Sequence, residues 1–66
     1  MNIIVNGRQQ KIDTTANLKT LIEHSCCDTR HVIAEVNGTI VKNPQWNKQA
    51  LKNGDVVELV HFVGGG

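Results

Sequence analysis

The chain has two aromatic residues, Trp46 and Phe62, and no tyrosine, so it offers no platform on which successive bases could stack. It has no excess of positive charge: Lys+Arg 7 stands against Asp+Glu 6, whereas a phosphate backbone or an anionic membrane calls for concentrated cations. Nucleic acid and membrane are therefore not expected as partners. No apolar run approaches the roughly 20 residues of a membrane span, and the one within MNIIVNGRQQ is too short for a signal peptide, which predicts a cytoplasmic protein. The only two cysteines, Cys26 and Cys27, are adjacent. A bridge between them would need a strained ring with Cα atoms far from their usual separation. A small secreted domain normally needs several bridges, so a reducing compartment fits this count better.

What is present is 66 residues, 39% hydrophobic and 20% charged, the composition of one small domain. Such a chain buries only about 60% of the surface it exposes when unfolded, and an enclosed catalytic cavity of its own is not expected. Met1, Ile3 and Val5 alternate with Asn2, Ile4 and Asn6, as on a strand with one face against a core. Asn6-Gly7 supplies the positive φ angles of a type I′ turn, so 8–12 is predicted to return as a second strand. Asp13, Thr14 and Thr15 offer side-chain oxygens to free N–H groups, and Leu18, Leu21 and Ile22 have helical spacing, which predicts a helix over 16–25. Val32, Ala34 and Val36 alternate with Ile33 and Glu35, and Asn37-Gly38 turns the chain into a short strand over 39–42. That strand is limited by Pro44, with Asn43 expected to be extended before it. Trp46 and Leu51 are expected to close one end of the core, and Lys52-Asn53-Gly54-Asp55 to turn into a last strand over 56–63.

The order is β-β-α-β-β-β, an α+β chain with one helix across a mixed sheet of four to five strands. Its two-layer packing corresponds to a ubiquitin-like β-grasp, by analogy of element order. The predicted division is a domain over 1–63 and a flexible glycine tail, Gly64, Gly65 and Gly66. A terminal glycine stub is ordinarily silent, but here the last strand runs almost directly into it. That makes the α-carboxylate of Gly66 a candidate reactive group. A carboxylate is a poor electrophile until it acquires a leaving group such as AMP, and that step requires another enzyme. Glycine has no Cβ and lets the backbone approach a bound nucleotide closely. Three of them reach about 10 Å when extended, enough to enter a narrow channel.

The ending His61-Phe62-Val63-Gly64-Gly65-Gly66, the Val36-Asn37-Gly38-Thr39-Ile40-Val41 hairpin, the Trp46 region and the Asn53-Gly54-Asp55 turn resemble the ThiS family. These are the sulfur carriers of thiamin thiazole synthesis, and the resemblance covers essentially the whole chain. It implies that Gly66 is adenylated by an E1-like, ThiF-type enzyme using ATP and magnesium. The adenylate is then converted to a thiocarboxylate with sulfur derived from cysteine by a desulfurase, and the thiocarboxylate supplies sulfur to a ThiG-type thiazole synthase. It also implies that Gly65 and Gly66 form the family's diglycine, that Gly64 stands where many members have a small residue, and that the chain is a co-substrate with no cofactor bound to it. Other readings stay open: a carrier for molybdopterin, a tungsten cofactor or cysteine synthesis, or a ubiquitin-like modifier or interaction module. The free chain is expected to be a monomer.

Alternation along the last strand adds a surface. If Val57 and Leu59 face the helix, Val56, Glu58, Val60 and Phe62 face outward beside Ile4 and Ile33. Phe62, Val60, Ile4, Ile33 and Val63 are accordingly the predicted partner interface, with Phe62 as the anchor unless sheet twist carries it over the core edge. His24, Cys26, Cys27 and His31 are potential metal ligands, but their spacing matches no zinc pattern, and no metal is expected. The thiols lack the shaped pocket of a catalytic cysteine, so no catalytic residue is expected. Lys11, Lys19, Lys42, Lys48 and Lys52 read as solvated charges, and Trp46 as core.

Overall fold

The fold is built on a sheet whose five strands run in the order β2-β1-β5-β3-β4, and a computed structural model describes residues 1–25 and 29–62. The strands are β1 (Asn2–Val5), β2 (Arg8–Lys11), β3 (Val32–Val36), β4 (Thr39–Val41) and β5 (Val56–His61), crossed by the single helix α1 (Leu18–Ser25). β5 lies between the two hairpins, parallel to β1 and antiparallel to β3. The α+β order and the helix on a mixed sheet are as the sequence predicts. The expected tail, Gly64 to Gly66, with Val63, lies outside the described residues, as do Cys26 and Cys27.

Alternation decides which side of each strand is buried. Ile3, Val5, Ala34, Val36, Val57 and Leu59 turn toward α1, where they meet Leu18, Leu21 and Ile22, and Trp46 and Leu51 close the cluster. Fully burying a side chain of this class contributes about 1.5–3 kcal/mol; Ile3, Leu18, Ile22 and Val57 are the largest that are completely enclosed. The Trp46 indole N–H donates to the Val41 carbonyl at 2.8 Å, which satisfies the one polar atom that its burial would otherwise leave unpaired.

Several boundaries differ from the sequence expectation. The helix begins at Leu18, and its cap is Asn17: the Asn17 side-chain oxygen accepts from the Thr20 N–H at 2.9 Å, while the Thr20 hydroxyl oxygen accepts from the Asn17 N–H at 3.1 Å. Asn17 forms an isolated bridge with Ala50, flanked by the Leu51 N–H donating to the Ala16 carbonyl and the Leu18 N–H to the Gln49 carbonyl. Asp13, expected to cap the helix, accepts instead from the Thr15 N–H and hydroxyl. Those bonds, the backbone one foremost, hold its carboxyl below the usual value. Asn43 is not extended; it opens a 3-10 helix, Asn43–Lys48, and the extended residue is Lys42 (φ −76°, ψ 152°). Pro44 suits that first turn because its missing N–H has no partner to lose there and its φ is already set. β5 ends at His61 rather than Val63, and β2 and β4 each stop one residue early.

Both Asn-Gly turns form with positive φ at both residues: Asn6 49° and Gly7 81°, Asn37 51° and Gly38 86°. The asparagines also reach sideways to β5. The Asn6 side-chain oxygen accepts from the Leu59 N–H at 2.8 Å, and that of Asn37 from the Val56 N–H at 2.9 Å. Asn37 also donates through Nδ2 to Asp55 Oδ1 at 3.0 Å. Replacing Asn6 or Asn37 by alanine therefore adds a left-handed backbone penalty of about 1–2 kcal/mol to the loss of a bond worth about 1 kcal/mol. Glycine removes only the second. Equilibrium urea unfolding is expected to show losses of about 2–3 kcal/mol for Asn6→Ala and Asn37→Ala and about 1 kcal/mol for the glycine variants.

Candidate functional site

The face of the sheet turned away from α1 carries exposed apolar side chains on either side of the opposed Glu35 and Glu58. Ile4 sits opposite Val56, and Ile33 opposite Val60; all four are exposed, Val60 by 53%. Ile40, on β4, is exposed by 61%. Single exposed apolar side chains are unremarkable, but several on one face read as an interaction surface. Ile4, Ile33 and Val60 share this face with Val56 and Ile40, Ile4 beside Val56 at the start of β5 and Ile33 beside Val60 toward its end, with Glu58 and Glu35 between them. Ile40 escaped the sequence reading although the signal was present: the two-residue Asn37-Gly38 turn sets the pairing Val36 with Thr39 and Glu35 with Ile40, so Ile40 must share Glu35's face.

Phe62 follows β5 directly. Its backbone N–H donates to the His31 carbonyl at 2.9 Å, one rung beyond the pairing of Val32 with His61. The two rings meet edge to face, with centroids 5.5 Å apart and planes at 74°. Phe62 is 44% exposed, so it neither enters the core nor stands unsupported. His31 closes a short 3-10 helix, Thr29–His31, and fixes the point from which the chain proceeds toward Gly66. Val63, Gly64, Gly65 and Gly66, the remaining predicted site residues, lie outside the described residues.

His24 lies in the last turn of α1 and His31 ahead of β3. Among the described residues no group of three His, Cys, Asp or Glu side chains could hold a metal ion. An open groove on the helix side is lined by Lys11, Ile12, Asp13, Thr20, Leu21 and His24. No helix among the described residues is long and apolar enough to cross a membrane.

The model of the ThiS family matches residues 3–66. The sulfur carrier protein ThiS of Bacillus subtilis is 33% identical over 63 residues, covering 94% of this chain and 96% of that protein. A thiazole synthase of Paramagnetospirillum magneticum is 30% identical over 66 residues, all of this chain but 20% of that protein. The chain thus spans about a fifth of that relative's length. The crystal structure of the thiamine biosynthesis protein ThiS from Geobacter metallireducens superposes with a TM-score of 0.84 at 30% identity, covering all of both chains.

The exposed position of Phe62 has a measurable consequence. Phe62→Ala is expected to lower stability by about 1 kcal/mol, the scale of an aromatic pair. Leu59→Ala, three residues earlier on the buried side, is expected to lower it by about 2–5 kcal/mol. Urea denaturation of the two variants checks this, and the reverse order would place Phe62 in the core.

Proposed function

The chain belongs to the ThiS family and is a sulfur carrier of thiamin biosynthesis, and on that premise we propose that the α-carboxylate of Gly66 is the group that holds the sulfur. The supporting observation is the match through residue 66, together with a β5 strand that brings the chain to Phe62 on the border of an exposed apolar face. In the ubiquitin-like β-grasp the folded body serves as a grip, and Gly64-Gly65-Gly66 as the part that enters a partner's active site. Glycine's lack of a Cβ suits that passage.

In the proposed cycle an E1-like adenylyltransferase binds ATP and magnesium. The Gly66 carboxylate attacks the α-phosphorus, pyrophosphate leaves, and a mixed anhydride with AMP results. A persulfide derived from cysteine by a desulfurase then attacks the activated carbonyl; a C–S bond forms, the C–O bond to AMP breaks, and AMP departs with the electron pair. A thiol reduces the S–S bond of the acyl disulfide so formed, its donor sulfur leaving as a thiolate. The resulting thiocarboxylate is a softer and stronger nucleophile than the carboxylate, suited to passing sulfur to a thiazole synthase. The chain is the co-substrate in each step and not the catalyst. Phe62, Val60, Ile4, Ile33 and Val63 are its proposed contact surface for these enzymes.

The test is intact-mass analysis after incubation with ATP, magnesium, the E1-like enzyme of the same organism, a persulfide donor and a thiol reductant. The expected result is the mass gained when one oxygen is replaced by sulfur, lost when Gly66 is deleted. No gain with an enzyme active on another carrier would contradict the assignment to Gly66.

A further inference from the structure

On the exposed face, β3 and β5 present two directly opposed pairs: Ile33 with Val60, and Glu35 with Glu58. The first is an ordinary apolar pair. The second sets two carboxylates on Cβ atoms about 4.5–5.5 Å apart, an arrangement that destabilises a ladder. Glu35 is half-buried and Glu58 exposed, and no hydrogen bond or ion pair among the described residues ties either one to a cation. Apolar side chains neighbour them along β3, β4 and β5, with Asn6 beside Glu58 on the β1 side. Ile33 and Val60 lie on one side, Ile40 is directly opposite Glu35 on β4, and Val56 precedes Glu58 on the same face of β5. A local rule broken with nothing among the described residues to offset it points to a role outside the fold.

The frame and the pair together define what can cover this face. Exposed isoleucine and valine call for an apolar surface, yet a wholly apolar cover would bury two unpaired charges at a large desolvation cost. The cover must carry positive charge at its centre. Taking this face as the contact surface of the proposed function, we propose that the thiazole synthase inserts one arginine or lysine side chain between Glu35 and Glu58, with apolar surface over Ile33, Val60, Val56 and Ile40 around it. A guanidinium matches two carboxylates through several charge-assisted bonds at once. The repulsion carried by the free chain is then relieved only in the complex, so the pair contributes selectivity for the correct partner.

The choice of partner rests on the sulfur-carrier reading and on the relative in which a sequence similar to this chain forms a fifth of a thiazole synthase. Position supports it as well. The face borders Phe62, from which four further residues reach Gly66, a span of at most about 14 Å. A synthase seated there holds its sulfur-accepting centre within reach of the chain end.

The experiment uses the full chain and the thiazole synthase of the same organism. Titration calorimetry gives Kd for wild type, Glu35→Gln, Glu58→Gln and the double variant, and thermal unfolding gives the Tm of each. The double variant is expected to bind about tenfold or more weakly, because the partner's cation loses both partners. Wild-type affinity is expected to fall as salt is raised from about 0.05 to about 0.5 M. The Tm of the double variant is expected to rise by roughly 1–5 °C as the repulsion is removed. A change in Kd below about threefold, a fall in Tm, or no binding of wild type to the synthase would overturn the proposal. None of these results touches the sulfur-carrier reading, which the intact-mass assay decides without the synthase.

Discussion

β5 is held from both sides, parallel to β1 and antiparallel to β3, and every other feature depends on that central placement. Its inward residues Val57 and Leu59 lie under the helix, and its outward residues Val56 and Val60 form the middle of the exposed face. Two hairpins, neither joined to it by a tight turn, close around it. Each contributes the asparagine of its turn, Asn6 to the Leu59 N–H and Asn37 to the Val56 N–H. In a chain with so small a core, a strand that orders both the inside and the working surface is the economical arrangement.

Chemistry then follows from where that strand leads. The ladder continues one hydrogen bond past His61, from the Phe62 N–H to the His31 carbonyl, and the ring contact between the two residues supports the exit. In the proposed function the folded body supplies recognition and Gly66 the reactive carboxylate, a separation that lets one surface serve each enzyme while the chain end enters its active site. The opposed glutamates fit that division: they weaken the isolated sheet slightly and mark the face for a cationic partner.

Much of this is legible in the sequence because short-range rules dominate it. Asn6-Gly7 and Asn37-Gly38 announce their turns, and period-two alternation assigns Ile3, Val5, Val57 and Leu59 to the core and Ile4, Ile33 and Val60 to the surface. The features that escape are those set by distant contacts. Asn17 rather than Asp13 caps the helix because a bridge to Ala50 and the bond from the Leu51 N–H to the Ala16 carbonyl hold the chain out of the helix up to that point. Asn43 enters a 3-10 helix because burial of Trp46, bonded to Val41, winds the segment after Pro44. The Glu35–Glu58 opposition follows from β5 pairing with β3, a long-range register that no local pattern reveals.

Residue-resolved amide hydrogen exchange along β5 tests the central placement most directly. The Val57 and Leu59 amides are expected to exchange only through global unfolding, with protection matching the stability measured in urea and persisting, reduced, to Phe62. Exchange of Leu59 through low-energy local opening, as at a frayed edge strand, would contradict the claim that β5 anchors both the core and the approach to Gly66.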